Sequence, residues 1–227
     1  MSVFVQLIED PDWGNYYQLT GAGYAALIVI MLLILLGTMF VSGSINSEKK
    51  VSTKQLVFSA MAIALAVVTS FLKLVHFPMG GSITLFSMFF ITIIGYWYGL
   101  RVGLTAAIAY GFLQLIIDPY IISVPQMLCD YILAFGALGI SGLFSKSRYG
   151  MLKGYLAGVL GRYFFAFLSG MIFFGSYAAD WGMSAPVYSL AYNGIYLASE
   201  AALTVIVLFI PPVTKGLERI TRMAREV

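Results

Sequence analysis

The sequence predicts an all-α integral membrane protein, and three observations carry that prediction. Of its 227 residues, 60% are hydrophobic and only 10% are charged, where soluble domains carry about 25% charged residues. The mean hydropathy is +0.91, and a water-soluble globule of this size has too little interior to hide so apolar a chain. Apolar runs recur at the length a helix needs to cross a bilayer: at roughly 20 residues per span, the chain accommodates about seven spans with short loops. A soluble enzyme, a disordered chain and a nucleic-acid-binding domain are excluded. The net charge of +3 comes from basic residues in a few short loops and at the C-terminus, as in the flanks of membrane helices. One cysteine, Cys129, in an apolar run rules out an internal disulfide and reads as a packing residue.

Residues 1–45 read as an N-terminal extracellular segment and an extra transmembrane anchor, with a span at about Tyr24–Val41. Its flank holds Glu9, Asp10 and Asp12 and no Lys or Arg. A cleavable signal peptide needs a basic start, so a retained anchor with its N-terminus outside is expected. Residues 46–54 form a polar cytoplasmic linker, basic at its end. Residues 55–213 hold six spans: Leu56–Val75, Ile83–Tyr98, Gly103–Ile117, Val124–Phe144, Leu152–Phe174 and Val187–Val213. The second and third of these read as one hairpin turned at YGLRVG. Residues 214–227 are a basic amphipathic cytoplasmic tail, suited to a place near anionic headgroups. The loops alternate in charge, and Lys/Arg bias marks the cytoplasmic side, so the C-terminus is expected inside. Lys73 and His76 break the alternation near the outer end of their span. Glycines recur at packing intervals, among them Gly95, Gly99, Gly103, Gly139 and Gly142, and permit close helix approach in lipid.

Ionisable side chains inside a span are expensive and mark function by default. Three stand out: Asp130, Arg162 and Glu200. Asp130 lies about five residues, roughly 8 Å, below the outer end of its helix. Asn193 lies at similar depth in the last span, and Gln126, Tyr131, Tyr188 and Tyr192 share that layer. A carboxylate, an amide and tyrosines on two helices make a polar pocket near one face. Arg162 and Glu200, both mid-span, are expected to pair and lock the bundle. The loops before the helices of Asp130 and Asn193 are rich in aromatics, with Phe173, Phe174, Tyr177 and Trp181 clustered in one of them. Aromatic faces attract a cation, and a carboxylate would neutralise it or bind an exocyclic amine, so the layer suits a flat organic cation. Nothing points to an enzyme: the sequence has one His, no metal-ligand spacing, no nucleophile–base pair and no Walker A motif.

The segments PMGGSITLFSM (Pro78–Met88), YGLRVGLTA (Tyr98–Ala106), GFLQLIIDPYI (Gly111–Ile121) and VPQMLCDYILAFGALGISGLF (Val124–Phe144) resemble the ThiT family. FLSGMIFFGSYA (Phe167–Ala178) and YSLAYNG (Tyr188–Gly194) do so too, in the same order and spacing. These are the thiamine-specific substrate-binding subunits, or S components, of energy-coupling factor (ECF) transporters. The resemblance spans roughly Lys54 to Pro212 and leaves the N-terminal anchor outside. It implies a six-helix S-component bundle that captures thiamine from outside, with no cofactor. A separate membrane coupling subunit and two cytoplasmic ATPases would drive uptake across the bacterial cell membrane.

By the same resemblance, the ligand-binding residues are Asp130, Tyr131, Tyr188, Asn193, Tyr120 and Gly170, with Phe174, Tyr177 and Trp181 stacking on or lidding the site. Asp130 would handle charge or the exocyclic amine, and Tyr131, Tyr188 and Asn193 would hydrogen-bond the ligand. The Pro78–Ser82 loop would be a mobile gate. Ala60 and Ala64, one turn apart, would give a flat strip for the coupling helix. This chain departs from the family with Asp for Glu at position 130, Ala166 for His and Phe174 for Trp. Those departures leave open another small vitamin or a thiamine precursor such as hydroxymethylpyrimidine. A membrane scaffold or sensor is the reading from another class.

Overall fold

The computed structural model describes residues 3–9, 16–29, 52–77 and 80–226. Most of the expected Tyr24–Val41 anchor and the whole of the linker up to Val51 lie outside the described residues. What is described before them is an antiparallel strand pair, β1 (Val5–Ile8) with β2 (Tyr16–Leu19), followed by helical residues 21–29. The hydropathy pattern gave no hint of that pair.

The bundle that follows is helical: α1 (Thr53–Ser70), α2 (Ser87–Tyr98), α3 (Leu100–Ile117), α4 (Val124–Phe144), α5 (Gly150–Phe173) and α6 (Ala185–Leu208), with α7 (Pro211–Arg225) after it. Among the described residues five helices are long and apolar enough to span a membrane: α1, α3, α4, α5 and α6. This is an all-α, multi-pass membrane protein. A short 3₁₀ segment, Gly175–Trp181, links α5 to α6.

Local chemistry sets the boundaries. The Ser52 and Ser123 side chains accept from the Gln55 and Gln126 amides and open α1 and α4. Gly99, at φ +87°, ends α2 and starts α3, as the YGLRVG turn predicts; a side chain there would be strained. The last span is shorter than expected. It stops at Leu208 instead of Val213, because Pro211 and Pro212 cannot continue a helix but fit the first turn of a new one. The first bundle span also stops early, at Ser70. Its expected remainder is a strand, β3 (Lys73–His76), paired antiparallel with β4 (Ser82–Thr84).

The glycine stripes work as close-approach points. A Cβ on Gly103 would stand 2.7 Å from the Gly95 Cα and 2.8 Å from the Gly139 carbonyl oxygen; one on Gly142 would stand 2.4 Å from the Leu100 nitrogen. Helices α2, α3 and α4 therefore touch backbone to backbone. Met88, Ile91, Ile94, Leu115, Leu138 and Leu197 are fully buried behind these contacts. Leu65, Leu160, Phe164, Ile172, Ile195 and Ile206 point outward, which suits a bundle whose solvent is lipid.

Candidate ligand-binding site

Helix α2 is only 12 residues long, about 18 Å, against a hydrocarbon core of about 30 Å. It follows β4, whose Ile83 and Thr84 are buried while all four residues of β3 are exposed, so the hairpin's second strand leads the chain into the bundle. Glu200, fifteen residues into α6 and 2% exposed, receives the end of that hairpin. Its Oε2 accepts from the Thr84 hydroxyl (2.7 Å) and the Thr84 amide (3.4 Å). Its Oε1 accepts from the Ser87 hydroxyl (3.1 Å) and the Met88 amide (3.2 Å). A carboxylate at the N-terminus of α2 thus satisfies donors that the helix cannot. Non-helical backbone at membrane depth is tolerated only where protein or a polar cavity surrounds it, and the β4 end, with Ile83 and Thr84 buried and Ser82 and Thr84 on the cavity, meets that condition.

Above the Glu200 layer is a cavity of about 140 Å³, room for about ten water molecules on the same measure. Asp130, on the inward face of α4, is one of its polar groups. The surrounding stretch Leu128–Leu133 is π-helical, a local widening found mostly at functional sites. Gln126 Nε2 donates to Asp130 Oδ2 at 2.7 Å and to the Tyr120 carbonyl at 3.1 Å, while its Oε1 accepts from the Ile122 amide. Gln126, 1% exposed, therefore ties the carboxylate to the α3–α4 loop. The buried Ser169 hydroxyl on α5 faces the same carboxylate.

Rings wall the space. Tyr120 and Phe174 lie 6.0 Å apart at 30°, and Tyr188 and Tyr192 stack at 5.8 Å and 25°. Tyr131, Phe135 and Tyr196 complete the wall. Planar side chains around one carboxylate form the surface a flat cation would recognise.

Of the nine residues read from the sequence as ligand contacts, Asp130, Tyr131, Tyr188, Asn193, Tyr120, Phe174 and Gly170 line this cavity. Tyr177 stands behind Phe174, with ring centroids 6.4 Å apart. Trp181 is 68% exposed and lies outside the lining, because the 3₁₀ segment turns it outward. Two of the lining residues do different work from that expected. The Tyr131 hydroxyl donates to the Asp118 carbonyl (2.8 Å) and accepts from the Tyr120 amide (2.7 Å), so it staples the α3–α4 loop and offers the cavity its ring. The Asn193 amide nitrogen donates to the carbonyls of Ala166 and Ser189, and its oxygen accepts from Tyr196 at 2.8 Å. Asn193 fastens α5 to α6 where Gly170 lets them meet; a Cβ on Gly170 would stand 2.3 Å from the Ser189 hydroxyl.

The expected Arg162–Glu200 ion pair does not form. Glu200 is occupied by the Thr84, Ser87 and Met88 donors, and the Arg162 guanidinium lies 4.1 Å from the Phe135 ring centroid, in the cavity wall. Among the described residues the one ion pair is Lys73–Asp118, at 2.5 Å, joining the β3–β4 hairpin to the end of α3. Lys73, Thr84, Ser87, Gln114 and Ser189 also line the cavity and escaped the sequence reading. Only Lys73 had a signal, as a charge out of pattern.

Ala60 and Ala64 are exposed on α1 while Ala62 and Ala66 face the core, so the small-residue strip looks out of the bundle. No group of three or more His, Cys, Asp or Glu side chains that could hold a metal occurs among the described residues.

A membrane bundle with a part-enclosed, ring-walled polar cavity defines a solute-binding transport protein. Comparison with known proteins makes the class specific: the family model described as thiamine transporter protein (Thia_YuaJ) matches residues 56–218, and the chain belongs to that family. It is a transporter, not an enzyme. The thiamine transporter ThiT of Bacillus subtilis is 34% identical over 166 residues, covering 67% of this chain and 84% of that one. ThiT of Lacticaseibacillus paracasei is 30% identical over 127 residues, 48% of this chain and 63% of that one. A solved structure of ThiT from Listeria monocytogenes superposes with a TM-score of 0.56 at 25% identity, covering 70% of this chain and 96% of that chain.

Proposed function

We propose that this chain is the thiamine-capturing S component of an ECF-type importer. The observation that carries the reading is Asp130: a carboxylate held by Gln126 at the wall of a cavity lined with tyrosine and phenylalanine rings. Thiamine is an organic cation of two flat rings joined by a methylene bridge, one of them with an exocyclic amine, and Asp130 supplies the countercharge that the aromatic side chains alone cannot. Tyr120, Phe174 and Tyr188 provide flat faces for its two rings. Ala166 and Phe174, where the family carries larger groups, leave the pocket smaller in hydrogen-bonding power but intact in its ring-and-carboxylate logic.

The mouth of the cavity faces outside in this reading, with the C-terminus in the cytoplasm, as the Lys/Arg distribution of the loops supports. Ala60 and Ala64 present the strip against which a coupling subunit packs, and two ATPase subunits power release. The chain itself carries no nucleotide site in its sequence. The test is calorimetry on the purified protein with thiamine, hydroxymethylpyrimidine, riboflavin and biotin, alongside mass spectrometry of whatever small molecule co-purifies. Thiamine binding far ahead of the other three is the expected result. Preference for hydroxymethylpyrimidine would move the substrate to the uncharged precursor, and binding of none would refute the assignment.

A further inference from the structure

Two residues separate helix α7 from the end of the last membrane span, and it does not project away. Its inner face is fastened to the end of the bundle. Trp97 donates to the Thr221 hydroxyl (3.0 Å), Tyr98 to the Ala224 carbonyl (3.2 Å), Arg225 to the carbonyls of Tyr96 and Ser145, and Lys54 to the Glu226 carbonyl (2.6 Å). Ala224 is 1% exposed and Leu217 packs against the core. Leu217, Thr221 and Ala224 fall at i, i+4 and i+7, one face of a helix.

The remaining surface divides into two adjacent stripes at the same spacing. Lys215, Arg219 and Arg222 form one, opposite the buried face, and all three are exposed. Gly216, Ile220 and Met223 form the other along one flank, with Ile220 42% and Met223 48% exposed. None of Lys215, Arg219 and Arg222 has a carboxylate within ion-pair reach among the described residues. Helix α7 begins close to the end of α6, the last candidate span, so its exposed stripes start near the level at which the chain leaves the bilayer. The family model's match ends at residue 218, so Arg219, Arg222, Ile220 and Met223 lie outside the matched residues.

We infer that α7 is an in-plane membrane anchor, its Ile220–Met223 flank entering the acyl boundary and its Lys215, Arg219 and Arg222 side chains binding the phosphates of anionic phospholipids. The apolar flank gives contact with the bilayer edge, and the basic stripe gives the choice of lipid charge. Three basic side chains near an anionic surface together favour it by on the order of a hundredfold over a neutral one. Because Trp97, Tyr98 and Arg225 tie α7 to α2 and α4, headgroup binding would also fix the end of the bundle.

The test uses the full chain with an environment-sensitive fluorophore on Met223→Cys, in a Cys129→Ser background, reconstituted into vesicles. The expected result is emission about twofold brighter and blue-shifted in vesicles with about 30 mol % phosphatidylglycerol than in pure phosphatidylcholine. The difference should vanish in the Lys215→Gln/Arg219→Gln/Arg222→Gln variant and shrink at about 0.5 M salt. The same label on Glu218→Cys, on the opposite flank, should stay water-exposed throughout. In neutral detergent the triple variant should melt with its parent, since its three side chains are exposed and hold no ion pair among the described residues. Emission at 223 indifferent to lipid charge would overturn the inference. So would burial of that label only on addition of a cytoplasmic protein partner, which would make α7 a protein-docking face instead.

Discussion

Replacing Asp130 with Asn is the sharpest perturbation of the proposed site, because it removes a charge and changes almost no volume. The Gln126 Nε2 that donates to Oδ2 at 2.7 Å can still donate to the amide oxygen of the substituted side chain once that group is rotated, so the α4 scaffold keeps its tie to the α3–α4 loop. What is lost is the negative charge facing the cavity. A hydrogen bond to a charged group contributes about 1.5–3 kcal/mol. Since about 1.4 kcal/mol is tenfold in affinity, thiamine should bind roughly 10- to 100-fold more weakly. Titration calorimetry in detergent on both proteins measures this directly. Hydroxymethylpyrimidine, which lacks the thiazolium, should lose much less, and that contrast separates charge recognition from a general collapse of the pocket. An unchanged thiamine affinity in a variant that melts with its parent would refute the reasoning. An equal loss for the charged and uncharged ligands would refute it as well.

Four further outcomes follow from particular contacts. Trp181→Ala should leave thiamine affinity within about twofold of the parent by calorimetry, since a side chain this exposed contributes little and this one lies outside the cavity lining. Glu200→Gln should lower the melting temperature measurably in detergent, because the new amide faces four donors that need acceptors; leaving one buried donor unsatisfied costs about 1–3 kcal/mol. Gly170→Leu should abolish thiamine binding in titrations, because even its Cβ would stand 2.3 Å from the Ser189 hydroxyl and overpacking of that kind forces helices apart at about 1–3 kcal/mol or more. Lys73→Ala should change affinity by less than about fivefold in the same assay, the scale of a part-exposed ion pair.

The spans were legible because lipid leaves a helix only one pattern, and the family was legible in six short segments whose order and spacing are kept. Val124–Phe144 was read to the residue. The β3–β4 hairpin was not, because KLVH and SIT are apolar enough to be absorbed into neighbouring helices by any hydropathy window. Lys73 and His76 were its trace, and a charge at the wrong depth signalled a break rather than an exception. The π-helical stretch around Asp130 had no trace at all, since nothing in LCDYIL distinguishes it from an α-helical run. The bonding of Tyr131 and Asn193 was equally hidden. Sequence can put a hydroxyl or an amide at the right depth, but it cannot say whether neighbouring backbone has already taken it.

Two intramembrane carboxylates look alike in the sequence, and their partners separate them. Glu200 is saturated: four donors reach its two oxygens, two from backbone or side chain of Thr84 and two from the first turn of α2. It is absent from the cavity lining. A carboxylate so enclosed gains little from a ligand and would lose a helix cap by turning toward one. Asp130 is held from one side by Gln126, has the Ser169 hydroxyl facing it, and lines the ring-walled cavity. Its scaffold bond fixes its position without using its full acceptor capacity. Arg162, drawn onto Phe135 instead of onto Glu200, completes the division. Glu200 stays bound to Thr84 and the first turn of α2, and Asp130, the charge proposed to meet a ligand, stands on the cavity.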